Sequence, residues 1–90
     1  MISVLHKKLA YRSAHRGTKE ADLFFMSFFD IYSQNASDAW LSDYAWLMDQ
    51  SDAVLFDWIG SKKNIDLPLK TGLLSDLKAW WKQGDVVVKK

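Results

Sequence analysis

The sequence predicts an all-α protein, a small single-domain bundle of about five short helices. Two patterns carry that prediction. Large apolar residues recur at intervals of three and four, and no stretch keeps the every-second-residue alternation of a half-buried strand between hairpin turns. Cap and stop residues (Gly17, Ser37, Ser51, Gly60 and Gly84) also punctuate the chain at helix-length intervals. The "VVV" near the C-terminus is too short and too terminal to count as a strand.

The first helix is expected from about Ser3 to His15, with Val4, Leu5, Leu9 and Ala10 at helical spacing. Gly17 ends it, at a position where a left-handed residue costs least without a Cβ. Thr18 or Gly17 then caps a second helix, placing Glu20 in its first turn, where a carboxylate meets the positive end of the helix dipole. That helix carries Leu23, Phe24, Phe25, Met26, Phe28, Phe29, Ile31 and Tyr32, so it is apolar nearly all round and belongs at the centre of the core. "SQNAS" breaks it. Ser37 caps a third helix with Trp40, Leu41, Tyr44, Ala45, Leu47 and Met48. After "DQSD", Ser51 caps a short fourth helix bearing Val54, Leu55, Trp58 and Ile59, with Gly60 at its end. "SKKNID" is a polar loop. Asp66, with Pro68 in the first turn, opens a fifth helix along Leu69, Leu73, Leu77 and Trp80 or Trp81, and Gly84 stops it before a loose "DVVVKK" tail.

Ninety residues make one domain, 1–90. A chain this short buries only about 60–65% of its unfolded surface, so its core must rely on large side chains. The composition obliges, with 49% hydrophobic residues, five Trp and five Phe. There is no cysteine, which excludes disulfides, thiolate metal sites and cysteine nucleophiles. "MISVLHKKLAYR" does not read as a signal peptide, and "LFFMSFF" falls far short of the roughly 18–20 residues that span a bilayer. The expectation is a soluble protein of the bacterial cytoplasm, or of the mitochondrial matrix as its eukaryotic equivalent.

A net charge of +1 conceals strong segregation. Residues 1–20 carry Lys7, Lys8, Arg12, Arg16 and Lys19 against one acid, Glu20. Residues 21–60 hold seven Asp and no Lys or Arg, and the remainder holds seven Lys against three Asp. Most of this describes solvated helix faces. A basic patch facing an acidic partner is the functional alternative, and it would speed encounter more than tighten binding. Glu20 is the sole glutamate, and Arg12 and Arg16 are the sole arginines. Arginine presents a rigid planar fork where lysine presents a point charge.

Catalysis has little to work with. His6 and His15 lie nine apart and face different directions, so they make no metal pair and read as ordinary surface residues. No serine sits in a nucleophile elbow, and there is no glycine-rich phosphate loop. Gly17 before a helix N-terminus could hold an anion, a common and weak signal. A basic first helix beside aromatics leaves nucleic-acid binding open, although forty purely acidic middle residues would repel a polyanion. Phe24, Phe25, Phe28, Phe29, Trp46 and Trp58 are expected in the core, but thirteen aromatics are too many to hide. Any apolar patch left over would suit protein binding.

The stretch "YRSAHRGTKEADLFFMSFFDIY" resembles the opening of the SdhE family, the small succinate dehydrogenase assembly factors that promote covalent flavin attachment. The family hallmark is Arg-Gly, two residues, then Glu; here these are Arg16, Gly17 and Glu20, with the typical later Asp at Asp22. The segment "MDQSDAVLFDWIG" is similar to the family's Asp–Leu–Phe–Trp stretch, through Asp52, Leu55, Phe56 and Trp58. The resemblance covers roughly residues 7–82. Ala14 departs from it, standing where relatives often carry a large aromatic or charged residue, and the lysine-rich tail has no counterpart.

The resemblance implies a non-enzymatic factor. It would dock on the flavoprotein subunit of succinate dehydrogenase, or of fumarate reductase, while a histidine of that subunit bonds to the 8α carbon of FAD. It would hold no cofactor of its own and insert in no membrane, bind no nucleic acid, and be a monomer when free. The implied partner-binding residues are Arg16, Gly17, Glu20, Arg12 and Asp22: Gly17 for close backbone approach, Arg16 for directional hydrogen bonds to the partner, and Glu20 toward a partner donor. A small nucleic-acid-binding or general protein-interaction module is the alternative.

Overall fold

The computed structural model describes residues 4–62 and 65–83. Among these the chain forms five helices and no strand: α1 (Val4–Ala14), α2 (Lys19–Tyr32), α3 (Asp38–Met48), α4 (Asp52–Gly60) and α5 (Leu73–Gln83). Ser3, the Gly84 stop and the "DVVVKK" tail lie outside the described residues, as do Lys63 and Asn64 of the polar loop.

Three caps form as the sequence leads one to expect. Thr18, rather than Gly17, caps α2 by accepting the Ala21 N–H at 3.2 Å. Ser37 accepts from Trp40 at 3.1 Å and Ser51 from Val54 at 3.3 Å, opening α3 and α4. Each satisfies one of the donors that a helix start leaves without a partner.

The core is built on α2. Its Phe24, Phe25, Phe28 and Phe29 are buried, and each such ring contributes about 1.5–3 kcal/mol relative to exposure. Leu9, Leu41, Leu47, Leu55, Ile59, Leu73 and Leu77 converge on them from the other helices. Tyr44 lies at the centre, with Phe29 at 4.8 Å and Trp40 stacked at 5.4 Å and 5°. The buried Ser13 hydroxyl donates to the Leu9 carbonyl at 2.7 Å, leaving its oxygen to accept from the Tyr44 hydroxyl at 2.6 Å. Burial pushes the Tyr44 phenol well above its ordinary range, against the opposing pull of the Arg16 charge.

Four expectations need correction. On α1 the inward positions are Leu9 and Ser13, whereas Val4, Leu5 and Ala10 are exposed, because α1 meets α2 and α3 along a narrow stripe. The all-round apolar α2 is not wholly enclosed: Leu23, Met26 and Ile31 face outward. Trp46 and Trp58 are half-buried, stacked on one another at 5.9 Å. Finally, α5 opens at Leu73, so Asp66 and Pro68 belong to the approach to the helix. The cause is Asp43 of α3. Its buried carboxylate accepts the Lys70 N–H at 3.0 Å, the Thr71 N–H at 2.8 Å and the Thr71 hydroxyl at 2.6 Å. The Leu69 N–H turns back on the Leu67 carbonyl at 2.7 Å, a three-residue turn incompatible with a helix.

Candidate functional site

Gly17 adopts φ +125°, backbone that residues with a Cβ rarely adopt, and a Cβ built there would have nothing within 4 Å. The bare backbone at Gly17 therefore faces open space. Its shape is fixed from below by Asp22 in the first turn of α2. One Asp22 carboxylate oxygen accepts the Arg16 N–H at 2.5 Å and the Gly17 N–H at 3.2 Å. Two amides converging on one charged oxygen make a strong local clasp.

Arg16 is placed differently from the expectation that its guanidinium reaches out to a partner. The side chain turns inward, with 8% of its surface exposed. Its Nε donates to Asp52 at 2.8 Å, Nη1 to the Met48 carbonyl at 2.8 Å, and Nη2 to the Gln50 carbonyl at 2.6 Å. The guanidinium carbon also lies 5.6 Å from the centre of the Phe25 ring. The physical reason is the end of α3, whose last carbonyls lack helical acceptor partners and carry negative partial charge. No basic residue stands in the last turn of α3 itself. The two arginines supply the missing cations from α1 and the loop after it. Arg12 also donates to the Met48 carbonyl, at 3.0 Å, and pairs with Asp49 at 2.7 Å, but its side chain is 42% exposed.

Glu20 is exposed and makes no hydrogen bond or ion pair with any described residue. It is the second residue of α2, one short of the position from which a carboxylate reaches back to the cap amide. Thr18 does the capping instead, so Glu20 is left free of a structural task. The five residues singled out in the sequence thus lie together but fall into two groups. Gly17, Glu20 and Arg12 are exposed, while Arg16 and Asp22 hold the loop in shape.

Beside Arg12 and Arg16 is a depression of about 460 Å³, also lined by Tyr11, His15, Gln50 and Asp52. His15 is exposed; its Nδ1 donates to the Tyr11 carbonyl at 2.8 Å, and its ring stacks on Tyr11 at 4.0 Å. His6 is not an ordinary surface residue. It is half-buried, 2.9 Å from the Ser33 hydroxyl and against Phe29. Sequence reasoning gave Asp52 no physical role and overlooked Met48 and Gln50 here. The missing basic residue in the last turn of α3 was the one available signal for Met48.

The family model described as flavinator of succinate dehydrogenase matches residues 7–81. A Dictyostelium discoideum protein called "Succinate dehydrogenase assembly factor 2, mitochondrial" is 36% identical over 73 residues, 81% of this chain and 52% of that protein. An Aspergillus flavus protein of the same name is 30% identical over 57 residues, 63% of this chain and 20% of that protein. The chain thus spans about half the length of the first relative and a fifth of the second. No solved structure matches it. The family match takes in α1 from Lys7, the clasped loop, the corner between α3 and α4, and α5 as far as Trp81, which is nearly the whole described fold. The chain belongs to the flavinator of succinate dehydrogenase family.

Proposed function

We propose that this protein is an FAD assembly factor. It docks on the flavoprotein subunit of succinate dehydrogenase, with the fumarate reductase subunit as a second client, and promotes covalent attachment of FAD there. It works as a chaperone for a reaction that occurs within its partner, in the bacterial cytoplasm, with no catalytic residue and no stably bound cofactor of its own. Family membership supports this reading, as do the relatives' names. Neither supports the nucleic-acid alternative.

The observation that carries it is the unengaged Glu20 beside the open face of Gly17, on a loop already held from behind. Gly17 lets the partner's surface approach the backbone, Glu20 accepts a hydrogen bond from a partner donor, and Arg12 contributes at the edge. Arg16 and Asp22 act through the loop they hold. Glu20→Ala is the direct test. Loss of an exposed carboxylate should leave stability within about 0.5 kcal/mol of wild type. An unpaired, desolvated donor left in the complex should cost about 2–5 kcal/mol of binding, or about 30-fold and more in affinity. Flavinylation is read as flavin fluorescence of the denatured subunit in a gel, from cells lacking the native factor. Wild-type fluorescence at wild-type factor levels would remove Glu20 from the site.

A further inference from the structure

At the other end of α4 lies a pocket of about 710 Å³ whose composition differs from that of the loop. Asp52, in the first turn of α4, holds Arg16, whereas Ile59 and the end of the helix border this pocket. The two are therefore about 12 Å apart along the helix axis. The wall is apolar, formed by Ile59, Leu74 and Trp81. Trp81 is fixed by an edge contact with Phe24 and a tilted contact with Phe56, both at 5.8 Å. The rim is cationic, formed by Lys62, Lys78 and Lys82, and no acidic side chain is among its described lining residues.

Among the described residues these lysines have no carboxylate partner. The two ion pairs among the described residues both use arginine. Lys78 donates to the Ser61 carbonyl and ties the loop after α4 to α5. Asp76, the acid of α5, is turned to α3, where it accepts from the Trp40 indole at 3.1 Å. A concave apolar wall with a cationic rim complements a protein segment that carries acidic residues beside a large apolar side chain. A lipid surface would instead favour a protruding apolar face.

We propose that this pocket is a second docking surface, for an acidic segment of the same partner, so that the partner is held at both ends of α4. The identity of that partner rests on the proposed function above. The pocket's rim should act mainly on the rate of encounter.

Binding of the purified protein to the isolated flavoprotein subunit, followed by biolayer interferometry over a salt series, tests this. The variant Lys62→Glu/Lys82→Glu changes two exposed side chains, and its thermal melt serves as the folding control. Its association rate should fall about tenfold at low salt and lose most of its salt dependence. A second measurement uses Ser75→Cys at the exposed lip, the only thiol in a chain without cysteine, labelled with a benzophenone. The crosslink should map to a partner peptide rich in Asp and Glu. Unchanged association of the double variant beside a weakened Glu20→Ala would overturn the second surface and leave the assembly function standing. No binding by wild type would overturn the function and this inference together. Lysine-dependent sedimentation with phosphatidylglycerol vesicles, without an acidic crosslink, would reassign the rim to a membrane and overturn the proposal.

Discussion

Two connections in this protein are each organised by one aspartate, and they use it differently. Before α2, Asp22 takes the Arg16 and Gly17 amides, six and five positions back in the chain. Before α5, the buried Asp43 reaches 27 and 28 positions forward to Lys70 and Thr71. The first clasp is local and shapes a surface loop, and the long-range anchoring of that loop falls to Arg16. The second shapes its segment and anchors it to the core through a single carboxylate. The loop before α2 can therefore vary its clasp without loss of the fold, whereas the approach to α5 cannot.

The largest effect is expected at Asp43. Asp43→Ala leaves two amides and a hydroxyl without their acceptor and should cost about 2–4 kcal/mol in urea unfolding. Burial alone would raise this carboxyl's pKa, but the hydrogen bonds from Thr71 and Lys70 and the Lys70 charge more than offset it, so the folded value lies below the ordinary 3.8. Its contribution is therefore complete above the unfolded value and lost as pH falls through the folded one. The wild type should lose stability in acid more steeply than the variant.

Arg16→Ala comes next, at about 2–3 kcal/mol, because Asp52 and two carbonyls lose a shared donor. Arg16→Lys should recover less than half of that, since a point charge cannot reproduce three directional bonds. Full recovery by lysine would mean that charge alone anchors the loop. Gly17→Val should cost about 1–2 kcal/mol through backbone strain, as no atom of this chain crowds the new Cβ. Any loss of partner affinity beyond the measured loss of stability then reports the partner's approach. If the two losses match, Gly17 serves the turn alone. Arg12→Ala should matter least, within about 1 kcal/mol by thermal melt, for its ion pair with Asp49 is exposed. A cost as large as that of Arg16→Ala would mean that the shared Met48 acceptor couples the two arginines.

The sequence carried whatever depends on near neighbours. Thr18, Ser37 and Ser51 cap the residues that follow within three positions, so those helix starts were legible, as was the buried phenylalanine face of α2. The start of α5 was not, because its determinant is Asp43, far back in the chain. The same distance hid the direction of Arg16. Its neighbours suggested an outward fork, but the end of α3, more than thirty residues on, draws it in. For Glu20 the sequence yielded its place in the first turn of α2, while the cap that frees it from reaching back, Thr18 rather than Gly17, was settled only by the fold.

The inward turn of Arg16 also bears on the proposed docking of the loop. A loop tethered at Met48, Gln50 and Asp52 is ordered before any encounter, so the entropy of fixing it is lost during folding and not during association. In the proposed docking at Gly17 and Glu20, this side of the contact would then meet its partner already in shape. A complex made in this way would need no refolding of the loop to come apart.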